Sequence, residues 1–70
     1  MTRIEFMEDC KDKQNMIIPS GSIAWVKKEL INPVTKNEEL FIAIENGTEK
    51  EETYPKAVIE KQKAKYREII

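Results

Sequence analysis

The side chains able to support catalysis are few in this sequence of 70 residues. Histidine, the commonest general base and a common metal ligand, is absent, and Cys10 is the single cysteine. A thiol without a histidine beside it lacks the base that would activate it, and one cysteine cannot form a zinc site. We therefore expect Cys10 to be a structural thiol, and we expect no enzymatic activity, no metal site and no cofactor.

Acidic residues and glycines give no stronger catalytic signal. Four glutamates stand in charged runs next to the predicted turns: Glu38, Glu39, Glu51 and Glu52. Paired carboxylates can act as acid and base, but in such runs we expect them to lie on solvated faces. Gly21 and Gly47 are isolated, and neither belongs to a glycine pattern that binds phosphate. These features argue against a nucleoside triphosphate site.

Trp25 is the most informative single side chain, and two interpretations of it stay open. It is either a core residue of a central strand or an interface anchor, because tryptophan and tyrosine concentrate binding energy at hot spots. Basic groups follow it directly, and aromatics with basic groups are also the ingredients of single-stranded nucleic-acid binding. The candidate partner- or ligand-binding residues are Trp25, Lys27, Lys28, Tyr54 and Tyr66.

Strand-like segments must position these side chains. Ile4 and Phe6 alternate with polar neighbours, which predicts a first strand, and residues 22–31 have strand composition. The apolar run 40–44 is typical of a buried strand. Asn46-Gly47 follows it and supplies the two positive φ angles of a type I′ turn, which predicts a tight hairpin.

That hairpin would fix the register of a third strand. It would place Lys50 opposite Ala43 and Glu51 opposite Ile42. The returning segment, residues 48–54, is polar nearly throughout. We expect it to be an edge strand whose charges discourage pairing with other chains.

The C-terminal segment changes to helical spacing. Pro55 is suited to the first turn of a helix, and apolar residues then recur on one side. This predicts an amphipathic helix whose apolar end needs cover, either from the sheet or from a second copy. The predicted oligomer interface consists of Ile59, Tyr66, Ile69 and Ile70.

These elements predict a single domain over residues 1–70 of mainly β (α+β) class. The strands are expected at about 2–8, 22–31, 39–45 and 48–54, and the helix at about 55–68. The architecture would be a small bent antiparallel sheet, or an SH3-like barrel, of four to five strands with a C-terminal amphipathic helix. The sequence leaves a closed barrel and an open sheet completed by a second subunit as alternatives.

Three segments carry a resemblance to known proteins. They are Pro-Ser-Gly-Ser-Ile-Ala-Trp-Val (19–26), Leu-Phe-Ile-Ala-Ile-Glu-Asn-Gly (40–47) and Tyr-Pro-Lys-Ala-Val-Ile (54–59). Their layout resembles the SH3-like barrel group and is similar to many short accessory proteins of bacteriophages and mobile elements. A long C-terminal helix departs from the usual SH3-like ending, which is a single short turn.

Composition and charge bound the function further. Twelve basic and thirteen acidic residues give a formal net charge of -1, so no overall field attracts nucleic acid. No stretch is long and apolar enough to span a membrane, no signal-peptide pattern is present, and the single cysteine is typical of a reducing compartment. We expect a cytoplasmic protein that does not bind membranes.

Three function classes remain. We expect first a non-enzymatic interaction module, a phage or mobile-element factor that binds a host protein and inhibits or redirects it. The second is a homo-oligomeric binder, or sponge, of a small anionic ligand such as a nucleotide second messenger. The third is a nucleic-acid-binding accessory domain. Self-association accompanies the first two, because a chain of this length gains stability from a partner.

Overall fold

The computed structural model describes residues 2–45 and 50–69, without the side chain of residue 51. The strands are Thr2–Phe6 (β1), Cys10–Lys11 (β2), Ile17–Ile18 (β3), Ile23–Ile31 (β4), Glu38–Glu45 (β5), Lys56–Glu60 (β6) and Tyr66–Ile69 (β7). Two 3₁₀ turns, Glu51–Thr53 and Lys61–Lys63, lie before and after β6. Over the described residues the helical turns are of this short kind and no α-helix forms.

The strands form one five-stranded sheet in the order β6-β5-β4-β1-β7, with every neighbouring pair antiparallel. A small second sheet is the hairpin of β2 and β3. The prediction of a mainly β, antiparallel fold is confirmed. The pairing of β4 with β5 shifts register between Val26 and Lys28, so Lys27 is an extra residue in the ladder. Such a bulge bends the strand and increases its twist.

One face of the sheet is the core. Alternate residues of the strands are fully buried there, and the β2–β3 hairpin packs over them. The core includes Ile4, Phe6, Ala24, Leu40, Ile42 and Ile59 from the sheet, Cys10 and Ile18 from the hairpin, and Ala64. The structural role expected for Cys10 agrees with this position, since its residue is only 5% exposed.

The predicted helix over 55–68 is wrong. This segment forms β6, a 3₁₀ turn and β7. In Lys56–Glu60 the buried residues are Ala57 and Ile59, which alternate with more exposed neighbours at the period of a strand. Val58 and Ile59 are β-branched, and such residues favour a pleated strand over a helix. Pairing with β5 and β1 satisfies the backbone of the segment in the sheet.

The predicted edge strand over 48–54 is also wrong where the structure describes it, because Glu51–Thr53 is a 3₁₀ turn. Ala43 pairs with Lys56 and Ile42 with Ala57, so the partner of each β5 residue lies six positions later in the sequence than expected. If the polar segment 48–54 had paired with β5 directly after the turn, the buried side chains of β5 would have had no apolar neighbours on that side. The Asn46-Gly47 turn and Ile70 lie outside the described residues.

The described sheet is not a closed barrel, because its two edge strands, β6 and β7, are not paired with each other. The free side of β6 is met by the tip of the β2–β3 hairpin, where the Lys13 N–H donates to the Val58 carbonyl at 2.8 Å. This contact protects part of one edge of the sheet.

Within the described ranges, no helix is long and apolar enough to cross a membrane.

The new strand assignment can be tested at Ile59, which has no exposed surface. Ile59→Ala should lower the free energy of unfolding by about 2–5 kcal/mol, because it leaves a cavity in the core. Gln62→Ala, at an exposed position of the following turn, should change it by under about 0.5 kcal/mol. Urea unfolding followed by circular dichroism measures both. Equal effects of the two substitutions, or a spectrum with a helical minimum, would contradict the assignment.

Candidate functional site

The register of the sheet places one side chain from each strand in a row on the face away from the core. The row runs Ile69, Arg3, Trp25, Ala43, Lys56 from β7 to β6. Directly opposed residues of antiparallel strands project to the same side of a sheet. Ile4 and Ala24, which are next to Arg3 and Trp25 in sequence, are 0% exposed on the other side. Trp25 therefore points out of the core.

A second row lies beside the first. Lys28 pairs with Phe41, and Phe41 pairs with Val58. Phe41 is thus a diagonal neighbour of Trp25, within reach of a large aromatic ring. We name this surface the Trp25 face. It consists of Arg3, Trp25, Lys28, Phe41, Ala43, Lys56, Val58 and Ile69.

The indole of Trp25 is half-buried, and a basic group covers part of it. The Arg3 guanidinium carbon lies 5.7 Å from the centre of the ring, a cation–π distance. Arg3 is itself fixed by Glu45, since its Nε donates to Oε2 at 3.0 Å. The orientation of the tryptophan is therefore set before any partner arrives, which lowers the entropy lost on binding.

The charges on this face are only partly compensated. Arg3 pairs with Glu45, and farther along β7 the Arg67 guanidinium pairs with Glu5 at 2.6 Å. Lys56 Nζ donates to the Tyr54 carbonyl at 2.7 Å, a neutral acceptor. Lys28 is exposed and forms no ion pair with the described part of the chain. Two lysine charges are thus left available beside an aromatic centre.

The structure separates the residues that were predicted to bind. Trp25 and Lys28 share one face, and Ile69 of the predicted oligomer interface joins them. Tyr66 pairs with Phe6 and packs against the core on the opposite side. The remaining ones are either buried or in the bulge. Tyr54 is 8% exposed, Ile59 is 0% exposed and Lys27 is the half-buried bulge residue.

Sequence reasoning did not single out four members of the Trp25 face, namely Arg3, Phe41, Ala43 and Val58, and it placed Lys56 on the basic side of a helix. The run 40–44 is apolar without interruption, so it gives no sign that Phe41 points away from Ile42. Arg3 could have been found from the alternation in β1, which places it on the other face of the sheet from Ile4. Lys56 and Val58 were hidden by the helical interpretation of their segment.

A second group of charges joins the tip of the β2–β3 hairpin to the sheet. We name it the Lys13 cluster, and it consists of Lys13, Asn32, Glu39, Glu60 and Lys63. Glu39 and Glu60 are paired across β5 and β6, and Lys13 Nζ lies 3.2 Å from a carboxylate oxygen of each. Asn32 Nδ2 donates to Glu39 at 3.1 Å, and Lys63 lies 2.9 Å from Glu60. Opposed like charges destabilise a sheet, so the lysine that bridges them is the condition for their pairing.

This cluster corrects the expectation that the glutamates lie on solvated faces. The Glu39 side chain is only 8% exposed. Glu38 and Glu52 are exposed, as expected, and the side chain of Glu51 is outside the described part. The burial of Glu39 became apparent only with Lys13, which is distant in sequence and gave no signal of its own.

Hydrogen bonds set the protonation of the cluster. Bonds to Glu39 and Glu60 raise the pKa of Lys13, and bonds from Lys63 and Lys13 lower the pKa of Glu60. Glu60 is thus held as a carboxylate at neutral pH, whereas a general acid needs a raised pKa. Burial, with Asp12 nearby, raises the pKa of the Cys10 thiol, so the reactive thiolate is disfavoured.

In the part of the chain that the structure describes, no group of three cysteine, aspartate or glutamate side chains could hold a metal ion. No protein-family model matches the chain, and neither does any curated protein or any solved structure. The chemistry of the Trp25 face itself therefore carries the functional argument.

We expect the stabilisation by the Lys13 cluster to depend on pH. Because the pKa of Glu60 is lowered in the folded protein, its ionised form stabilises the fold at pH values above the ordinary pKa of a glutamate. This stabilisation is lost as the pH falls through the pKa of the folded state. Lys13→Met should therefore destabilise the protein at neutral pH, and its difference from the wild type should shrink in acid. Lys11→Met, at an exposed position of the same hairpin, is the control and should leave stability unchanged. Thermal unfolding from neutral to acidic pH measures this, and a difference independent of pH would contradict it.

Proposed function

We propose that the protein is a non-enzymatic interaction module whose Trp25 face binds a host protein and thereby inhibits or redirects it. The proposal is carried by the outward position of Trp25, opposite the buried core. It agrees with the resemblance of the chain to short accessory proteins of bacteriophages and mobile elements. A cytoplasmic site of action belongs to the proposal and is in keeping with the free thiol of Cys10.

The energetics of interfaces support a role for this tryptophan. Hot-spot residues are enriched in tryptophan, tyrosine and arginine and lie at the centre of a patch from which water is excluded. Trp25 has Ala43 opposite it and Phe41 diagonal to it on β5, with Arg3 already against its ring. A partner that covers this centre would desolvate the indole without having to reorient it.

A small anionic ligand is the second candidate, and it requires a concave site. A groove of about 430 Å³ lies between the β2–β3 hairpin and the start of β6. Its lining is mainly apolar, with Met16, Ile17 and Pro19 on one side and Lys56 as its single basic residue. This lining suits an apolar group better than an anion. The sponge hypothesis would need further cations from a second subunit.

Self-association is proposed only through Ile69. Ile59 has no accessible surface, and Tyr66 faces the core. Pairing of two β7 edges is discouraged by the exposed charged side chains of Arg67 and Glu68 on that strand. A second copy would instead approach the Trp25 face, where Ile69 lies beside Arg3.

The proposal predicts that Trp25→Ala folds but loses its partner. We expect the affinity to fall by about 2 kcal/mol or more, roughly 30-fold, as for a hot-spot aromatic. Val34→Ala is the matched control, because Val34 is 86% exposed in the turn between β4 and β5 and lies off the face. Tagged wild type and both variants are compared by capture of host proteins, and native mass spectrometry of the eluates gives bound mass and subunit count together.

Capture of one stoichiometric host protein by the wild type and by Val34→Ala, but not by Trp25→Ala, is the expected result. Circular dichroism of each variant shows that it is folded. Retention of the partner by a folded Trp25→Ala would remove this face from the binding site. A bound small molecule in place of a polypeptide would favour the anionic-ligand alternative.

A further inference from the structure

The Trp25 face contains a four-cornered patch whose geometry is set by the register. Trp25 and Val58 occupy two opposite corners, on β4 and β6, and Lys28 and Lys56 occupy the other two. Phe41 and Ala43 lie between them on β5, and because Ala43 has no exposed surface, Phe41 is the side chain of this strand that a partner can reach. An apolar diagonal and a basic diagonal thus cross over the central strand.

The size of the patch follows from the spacing of a sheet. Strands lie about 4.8 Å apart and residues rise about 3.3 Å, so the Cα atoms of Lys28 and Lys56 are about 12 Å apart. In an extended peptide, residues four positions apart are separated by about 13 Å. A segment laid along the basic diagonal would therefore place its first and fifth residues at the two lysines and its third residue between Trp25 and Val58.

We propose that the Trp25 face recognises an acidic polypeptide segment of the pattern acidic-x-apolar-x-acidic. The apolar side chain packs against Trp25, Phe41 and Val58, and the two carboxylates pair with Lys28 and Lys56. The charges are complementary, because neither lysine has a carboxylate partner in the described chain. This inference rests on the proposed function and specifies the chemistry of its partner.

Single-stranded nucleic acid would also bring negative charge to aromatic side chains. The face favours a polypeptide, because two uncompensated lysines are too few to follow a chain of phosphates. Acidic residues also border the patch at both ends, with Glu45 beyond Ala43 and Glu39 beyond Phe41 on the same strand. Glu45 is paired with Arg3 and Glu39 with Lys13, so neither border offers an unpaired cation that would continue a track of phosphate contacts beyond the patch.

The test is selection from a random-sequence peptide library displayed on phage, panned on the immobilised wild type after depletion on Trp25→Ala. Recovered peptides should carry two acidic residues four positions apart with an apolar residue midway. The double variant Lys28→Glu with Lys56→Glu should select basic residues at those positions instead. A synthetic peptide of the selected sequence should bind the wild type at least about tenfold more tightly than it binds the double variant, as for truncated or reversed charge contacts.

Several outcomes would overturn the inference. Peptides that depend on Trp25 but are neutral or basic would leave the proposed function standing and refute the acidic pattern. Recovery of no peptide that depends on Trp25 would also refute it, and the host-protein capture then decides the proposed function separately. Displacement of the selected peptide by an equimolar oligothymidylate would assign the face to nucleic acid. Urea unfolding of the double variant confirms that it is folded.

Discussion

The antiparallel pairing of β4 with β5 determines how the side chains of the sheet are arranged. It joins the two longest strands and assigns each of their side chains to the core or to the Trp25 face. The extra residue at Lys27 changes that assignment part-way along β4, so that Lys28 comes to lie beside Phe41 and on the same side as Trp25. Without the bulge, the alternation along β4 would put Lys27 on that side and Lys28 on the core side. The position of the basic group relative to the aromatic centre is therefore a consequence of one inserted residue.

The described sheet has two edge strands, β6 and β7, and one face that does not pack against the core. The edges and this face differ in how much of their surface is available to a partner. The edge at β6 is met by the tip of the β2–β3 hairpin, which the Lys13 cluster holds in place with two carboxylates. The charged residues Arg67 and Glu68 on β7 discourage pairing with a second copy. The Trp25 face, by contrast, keeps an oriented aromatic and two lysines that have no carboxylate partner among the residues the structure describes. Protected edges beside an available face are what a domain needs in order to bind one partner without aggregating.

The first three long strands were predictable because their alternation and composition are local properties. β1, β4 and β5 lie at or within two residues of their expected ends. The segment after Pro55 was not predictable in the same way, because Ile59 and Tyr66 fit a helical spacing while Ala57 and Ile59 also fit a strand alternation. Pairing with β5 and β1, both distant in sequence, decides between them. The Trp25 face shares this dependence, since Arg3 and Lys56 join Trp25 only through strand pairing.

Trp25 is the only tryptophan of the chain, so its fluorescence reports whether this side chain faces outward on a basic surface. The most direct measurement is quenching of that fluorescence in the folded protein by acrylamide, iodide and caesium. We predict quenching by acrylamide that is weaker than in the unfolded chain but clearly present, and a larger effect of iodide than of caesium because Arg3, Lys28 and Lys56 attract the anion. Emission that none of the three quenches until the protein unfolds would place Trp25 in the core and contradict the account.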